Sequence, residues 1–135
     1  MKVLIDGNIL LDVLERREPF YKDSSLVWKL CETGQTDGCI SALTFADLVY
    51  IMRKELDPVR IKDVLTRLSM IFSVEGLLPW DLIKAAELEW KDYEDAIQSV
   101  TASRISADGI ITRNVKDYKD SIVQAMTPEE FLMEI

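Results

Sequence analysis

Short, wholly apolar runs alternate along this chain with longer stretches whose apolar residues recur every three to four positions. The short runs are bounded by polar residues or glycine, which is typical of buried strands, and the longer stretches have helical spacing and cap signals. The predicted strands are residues 2–6, 38–41, 71–74, 109–112 and 123–125. The predicted helices begin at about residue 9 and then cover 20–34, 43–55, 58–70, 81–90, 92–105 and 128–134.

Residues of known cap preference support several of these boundaries. Gly34 ends the second helix, Pro58 opens the fourth, and Asp81 is predicted to cap the fifth. Thr127 followed by Pro128 predicts the start of the terminal helix. Strands separated by helices predict a three-layer α/β domain with a central parallel sheet of four to five short strands, and ligands of such sheets collect beyond the carboxyl ends of the strands.

Composition narrows the chemistry. The chain has 135 residues of even composition, which predicts a single domain over residues 1–135. It contains no histidine, which removes Ser-His and Cys-His nucleophile pairs and His-ligated zinc from consideration. Any catalysis must therefore use carboxylates, hydroxyls, Lys, Arg or Tyr, or a hard cation such as Mg²⁺ or Mn²⁺ held by oxygen ligands.

Charge and cysteine usage bear on partners and location. The net charge of −8 argues against nucleic-acid binding by bulk electrostatics, so such a role needs metal ions, a basic strip or a partner. Cys31 and Cys39 lack metal-ligand spacing and are predicted to be reduced and buried. No apolar run is long enough to span a bilayer and no signal peptide is recognisable, so we expect a cytoplasmic protein without membrane contact.

Two acids in the first half of the chain are candidates for a site, each with a structural alternative. Asp6 closes the first predicted strand at the carboxyl edge of the sheet, where it could equally cap the next helix, and Asn8 could cap that helix or orient Asp6. Asp47 is the only charged residue between positions 40 and 52, which favours a functional carboxylate over an internal salt bridge. Thr44 lies on the same helical face and could hydrogen-bond within the site.

The second half of the chain adds further polar candidates. Asp92 and Asp95 share one side of a predicted helix start, where acids also suit the helix dipole, whereas Glu94 is expected to be a solvated charge. Thr112, Arg113 and Asn114 follow a strand on the same sheet edge as Asp6, although an ordinary exit from a strand into a loop would look the same. Thr112 and Asn114 could bond a phosphate, a water or a carboxylate, and Arg113 supplies local positive charge. Asp12, on the exposed side of its helix, is a weak candidate, and Asp108, at the opposite edge of the sheet, is interpreted as a turn residue.

Taken together, these segments resemble the PIN domain, as found in toxins of the VapC type. The matching segments are residues 4–12, 41–47, 92–98 and 110–118. They occur in the order and spacing of the family, and the chain has its length. The resemblance implies a parallel α/β sheet with helices on both faces, and a Mg²⁺- or Mn²⁺-dependent endoribonuclease acting on RNA. It also implies a homodimer inhibited by a cognate antitoxin, with exposed Trp28 or Tyr50 as possible contributors to the dimer.

The resemblance also assigns roles to individual residues. Asp6 and Asp95 correspond to the metal ligands, and Asp47 takes a position where Glu is usual. Asn114 stands where many members carry a fourth acid, and Asp117, three residues later, is a candidate substitute. A further departure is Gly7, which stands where Thr or Ser is common.

The predicted mechanism is hydrolysis of a phosphodiester bond by an in-line water molecule. Asp6 and Asp95 would hold the cation and Asp47 would orient the water. The three residues that would hold or polarise the phosphate are Thr112, Arg113 and Asn114, with Asn8 beside them.

Two rival interpretations remain. A phosphatase of the haloacid dehalogenase type would need an aspartate nucleophile at position 4, which is Leu. A degenerate PIN domain could instead serve only as a protein-binding module, its acidic face taking up a basic peptide. The neutral Asn114 favours that alternative, and metal titration distinguishes it from a nuclease.

Overall fold

The computed structural model describes all residues, 1–135, and contains one five-stranded parallel sheet. In chain order its strands are β1 Lys2–Ile5, β2 Asp37–Ser41, β3 Ser73–Glu75, β4 Gly109–Ile111 and β5 Ala125–Met126. Their order across the sheet is β3-β2-β1-β4-β5, and every neighbouring pair is parallel. The order reverses at β1, so the carboxyl ends of β1 and its neighbours border the crevice where such sheets bind ligands.

Seven helices and one 3-10 turn connect the strands. The helices are α1 Gly7–Leu14, α2 Tyr21–Glu32, α3 Ala42–Met52, α4 Pro58–Ile71, α5 Pro79–Glu87, α6 Tyr93–Arg104 and α7 Pro128–Glu134, and the 3-10 helix is Val115–Tyr118. The predicted α/β architecture is therefore confirmed, with every strand and helix present close to its expected position.

Helices cover both faces of the sheet. Within β1, Val3 and Ile5 join one hydrophobic cluster while Leu4 joins another, because successive side chains of a strand point to opposite faces. The larger cluster of sixteen residues packs the sheet against α1 to α4 and α7. The smaller cluster includes Ala102 of α6 and Tyr118 of the 3-10 helix. Three layers result, and all three central strands are buried on both faces.

Two boundaries differ from the sequence expectation for identifiable reasons. The first helix begins at Gly7, since Asp6 already accepts a hydrogen bond from the Gly7 backbone N–H at 2.8 Å and acts as its cap. Asp81 does not cap α5. It lies in the first turn after Pro79, and its carboxylate accepts from the Leu78 backbone N–H at 2.9 Å. Proline at the first helical position moved this start two residues earlier than predicted.

The two cysteines are free and buried, as predicted. Burial raises the pKa of the Cys31 thiol to about 12 and that of Cys39 to about 11. Gly38 packs against Cys31, and an added Cβ there would approach Cys31 Sγ to 2.6 Å and Phe72 Cδ1 to 2.9 Å. Close packing of α2 on β2 therefore requires glycine at this position.

None of the helices is long and apolar enough to cross a bilayer.

Candidate active site

A cleft of about 290 Å³ lies beyond the carboxyl ends of β1 and β4. Fifteen residues line it, and six of these are acids while none is Lys or Arg. The six acids are Asp6, Asp47, Asp92, Glu94, Asp95 and Asp117. They come from four different segments, so the fold rather than local sequence brings the carboxylates together. None of the six makes an ion pair within 4 Å.

Asp6 is fixed at the end of β1 by two hydrogen bonds. One carboxylate oxygen accepts from the Gly7 backbone N–H at 2.8 Å, and the other accepts from Thr112 Oγ1 at 2.7 Å. Burial raises the pKa of Asp6, and the two hydrogen bonds oppose that rise because they favour the charged form. Neighbouring Asp92 raises it further. The positive charge of Arg113 lowers the pKa of Asp6 by a smaller amount, so this carboxylate is oriented but only partly compensated in charge.

Asp95 enters the cleft from the first turn of α6. Its carboxylate accepts a hydrogen bond from the Tyr118 hydroxyl at 3.2 Å, and its backbone N–H donates to Asp92, which caps the helix, at 3.1 Å. Burial, followed by the charge of Asp92, raises the pKa of Asp95 to about 6. Burial also raises the pKa of Tyr118, so this hydroxyl stays protonated and remains a donor.

Asp47 and Glu94 line the cleft from α3 and α6. Glu94 is exposed, as expected, but the expectation of a merely solvated charge is wrong. Partial burial and the nearby Asp47 carboxylate raise the pKa of Glu94, so the two acids share one environment. Helical spacing alone missed this contact because Glu94 meets an acid from a distant helix, not from its own.

A buried polar network forms the floor between these two helices. The Ser41 hydroxyl donates to Gln98 Oε1 at 2.6 Å, and Gln98 Nε2 donates to Thr44 Oγ1 at 3.1 Å. All three residues are at most 4% exposed. The network joins the start of α3 to α6, so it fixes the helix that carries Asp47 against the one that carries Asp95. Thr44 was a candidate from the sequence, whereas Gln98 was not singled out.

Three further candidates line the same cleft with polar atoms. Asn8 contributes an Oδ1 that is buried and has no hydrogen-bond partner. Asn114 and Asp117, on the segment that leaves β4, also border the cleft. An unpaired buried amide oxygen is costly unless a further group binds it.

Thr112 and Arg113 are placed differently from the expectation that they hold a phosphate. Thr112 is fully buried. Its hydroxyl donates to Asp6 and accepts from the Asn114 backbone N–H, so it has no free hydrogen for a phosphate. Arg113 does not line the cleft, because its Nε donates to Asp12 Oδ2 at 3.0 Å and its guanidinium stacks over the Phe20 ring. The expectation that Asp12 is exposed is wrong, since this carboxylate is fully buried.

The remaining sequence candidates lie away from the cleft. Asp108 is exposed at the opposite edge of the sheet, where it accepts from the Lys2 backbone N–H at 2.9 Å, as predicted for a turn residue. Leu4, at the position of a dehalogenase-type nucleophile, is fully buried in the sheet. Trp28 is half-buried and packs edge-on against Phe72, so only Tyr50 of the two aromatic residues is largely exposed.

The donor set of the cleft fits a hard divalent cation. Its polar side chains supply carboxylate and amide oxygens, which are the ligands that Mg²⁺ and Mn²⁺ take in proteins. No three of the carboxylates lie close enough together in this structure to enclose an ion. The unpartnered Asn8 oxygen can accept a further ligand. Burial and the charge of Asp92 raise the pKa of Asp6 and of Asp95, so a bound cation would favour the charged form of both carboxyls.

Sequence and fold relatives agree with this architecture. Ribonuclease VapC1 from Aquifex aeolicus (strain VF5) is 26% identical over 138 residues, covering 96% of this chain and 92% of the relative. The structure of VapBC-1 from nontypeable Haemophilus influenzae matches with a TM-score of 0.73 at 16% identity, over 96% of this chain and 99% of that one. A toxin–antitoxin complex from Klebsiella pneumoniae matches with a TM-score of 0.68 at 23% identity, covering 93% and 97%.

These structural likenesses concern the fold, and the sequence itself supplies the family. Residues 2–116 match the PIN domain, which is most of the chain and includes five of the six cleft acids. The chain therefore belongs to the PIN domain family.

Proposed function

We propose that this protein is a divalent-metal-dependent endoribonuclease and the toxin of a toxin–antitoxin pair. The observation that carries the proposal is a cleft with six carboxylates and no cationic side chain. Such a cleft repels a phosphodiester unless positive charge is supplied from outside the chain. The negative charge of the cleft therefore means that a phosphate substrate would require a bound cation.

Asp6 and Asp95 are the side chains that would hold Mg²⁺ or Mn²⁺. Each is oriented by a hydroxyl donor from the far side, Thr112 for Asp6 and Tyr118 for Asp95. These donors limit carboxylate rotation, which is how outer groups fix ligands at metal sites. When bound, such an ion lowers the pKa of water and neutralises charge on phosphate oxygens.

The opposite wall would handle the attacking water. Asp47 orients the water by accepting its hydrogen bond, and Glu94, with its raised pKa, is a suitable acceptor for the proton that leaves. The water oxygen forms a bond to phosphorus while the bond from phosphorus to the ribose oxygen breaks in line. That ribose oxygen takes up a proton, so the products are a phosphate monoester and an alcohol. Asn8, Asn114 and Asp117 complete the rim of the site.

RNA as substrate and an antitoxin as partner are supported by the relatives. The curated relative that aligns over nearly the whole chain is a ribonuclease, and several proteins with the same fold are toxins in complexes with antitoxins. We extend both properties to this chain, together with a homodimer and a cytoplasmic location. Tyr50, 60% exposed, is a candidate for contact with a partner chain.

The proposal is tested with a fluorescently labelled RNA and Mn²⁺, Mg²⁺ or a chelator. We expect cleavage with either ion and none with chelator. Because the Asp6 carboxylate would hold the ion, Asp6→Asn should lower the rate by about a thousandfold or more. The matched control is Asp108→Asn, an acid at the opposite sheet edge, which should cleave within about twofold of the parent.

Two results would overturn the proposal. Cleavage that persists at the parental rate in purified Asp6→Asn would remove this carboxylate from the reaction. Absence of both cleavage and Mn²⁺ binding in the parent would instead favour a PIN domain that acts only as a protein-binding module.

A further inference from the structure

A buried ion pair lies directly behind the cleft. Asp12, on α1, is fully buried, and its Oδ2 accepts from Arg113 Nε at 3.0 Å and from Ser24 Oγ at 3.1 Å. The Arg113 guanidinium also lies 4.0 Å from the Phe20 ring centroid. Neither Asp12 nor Arg113 lines the cleft. The mechanism above therefore uses neither of them.

The position of Arg113 in the chain connects this pair to the cleft. Arg113 stands between Thr112, whose hydroxyl donates to Asp6, and Asn114, which borders the cleft. The Asn114 backbone N–H donates to Thr112 Oγ1 at 3.1 Å. Asp12 lies on the helix that Asp6 caps. The ion pair thus joins α1 to the segment after β4, and the Thr112–Asp6 hydrogen bond connects the same two parts of the chain.

We propose that Asp12 and Arg113 form a positioning pair, which holds the segment after β4 against α1 and so keeps Thr112 bonded to Asp6. This inference rests on the proposed function, because it gives Asp6 an orientation that matters for binding a divalent cation. It replaces the expectation that Arg113 contacts phosphate. The Arg113 side chain is only 25% exposed and both its charge and its planar face are already engaged.

The chain contains a matched control for a role in general stability. Asp81 is also fully buried, and it pairs with Arg104 Nε at 2.8 Å. The exposed fraction of the Arg104 side chain is 26%, almost equal to that of Arg113. Asp81 and Arg104 lie on α5 and α6 and do not line the cleft. Breaking either pair leaves an equally buried carboxylate without its partner, but only the Asp12–Arg113 pair adjoins Thr112.

The experiment compares Arg113→Gln with Arg104→Gln in the full chain. Three quantities are measured: amide hydrogen exchange at Thr112 and Asn114 without metal, the Kd for Mn²⁺, and kcat and KM for RNA cleavage. We expect faster exchange at both amides in Arg113→Gln, a Kd for Mn²⁺ raised by about tenfold, and a lower kcat at nearly constant KM. Arg104→Gln should leave the Kd for Mn²⁺, kcat and KM unchanged and should speed exchange at these two amides no more than at other core amides. Arg113→Lys should recover part of the loss.

Several outcomes would overturn the inference. A raised KM with an unchanged Kd for Mn²⁺ would make Arg113 a phosphate contact, and equal effects in both Gln variants would make the pair merely stabilising. The exchange measurement needs no metal or RNA, so it separates failure of this inference from failure of the proposed function. If Arg113→Gln does not fold, the double variant Asp12→Asn/Arg113→Gln removes the stranded charge. Parental exchange and parental Mn²⁺ affinity in that variant would also refute the pairing role.

Discussion

Two fully buried carboxylates of this protein are paired with arginine, whereas two half-buried carboxylates in the cleft are not. Asp12 and Asp81 are fully buried, and each is paired with an arginine. Asp6 and Asp95 are half-buried, yet no basic side chain lies within 4 Å of either. Arginine thus contacts the carboxylates that support the fold, whereas the cleft carboxylates are bonded by hydroxyl and backbone N–H donors. This contrast is the physical basis for proposing that the missing charge comes from a cation.

The largest effect on stability is expected at the paired acids. Arg104→Gln should lower the free energy of unfolding by about 3 kcal/mol, because it leaves the fully buried Asp81 charge without its partner. Urea denaturation measures the change, and Asp81→Asn/Arg104→Gln should recover part of it. If Arg104→Gln were as stable as the parent, the buried Asp81 charge would not depend on its arginine partner, which would contradict the account.

The next effect is stabilisation of the cleft by metal. Mn²⁺ at about one hundred times its Kd should raise the free energy of unfolding by about 2.7 kcal/mol, because only the folded chain gathers the acids. Thermal unfolding with and without chelator measures this gain. Asp108→Asn should retain the gain and Asp6→Asn should lose most of it, whereas equal gains in both would place the ion elsewhere.

The unpaired acids should show a smaller effect of opposite sign. In chelator at pH 7, Asp95→Asn should raise the free energy of unfolding by about 1 kcal/mol, after allowing for the partial exposure of this carboxyl to solvent. The sign follows from the pKa of Asp95, raised to about 6, which means that the folded state disfavours the charged form. The stabilising effect should shrink as the pH falls below about 6, where the folded parent carboxyl becomes protonated, and should disappear below about 4, where the unfolded carboxyl is protonated as well. An Asp95→Asn variant less stable than the parent at pH 7 would contradict the contrast.

The smallest expected effect is at Gly7. An added Cβ there would meet only Thr44 Cγ2, at an ordinary 3.4 Å, so Gly7→Ser should fold and gain about 0.5 kcal/mol from reduced chain entropy. The serine hydroxyl would add a polar group beside Asp6, and the Kd for Mn²⁺ should be unchanged or lower. A marked loss of stability in urea would show that this turn requires glycine.

The sequence predicted the fold well because its signals are local and repeated. Apolar runs such as residues 3–5 and 109–111, separated by capped helices, are sufficient to indicate a parallel sheet. The same reasoning directed attention to Asp6 at a strand end. Asp47 stood out because a single charge interrupts an apolar helix. Both carboxylates line the cleft, and their chemical roles stay predictions.

Other site features depended on contacts between distant segments. The burial of Asp12 could not be read from α1 alone, because its partner Arg113 lies 101 positions further along the chain. Gln98 looked like an ordinary helical residue until Ser41 and Thr44 were placed beside it. Helical periodicity indicates which face of one helix is buried, but it does not indicate which helix packs against that face.

The central claim is that the cleft binds a divalent cation through Asp6, and calorimetric titration with Mn²⁺ tests it most directly. The account predicts saturable binding in the parent and in Asp108→Asn, and binding weakened by at least about one hundredfold in Asp6→Asn. Equal Mn²⁺ affinity in Asp6→Asn and the parent, or no binding by the parent, would contradict it.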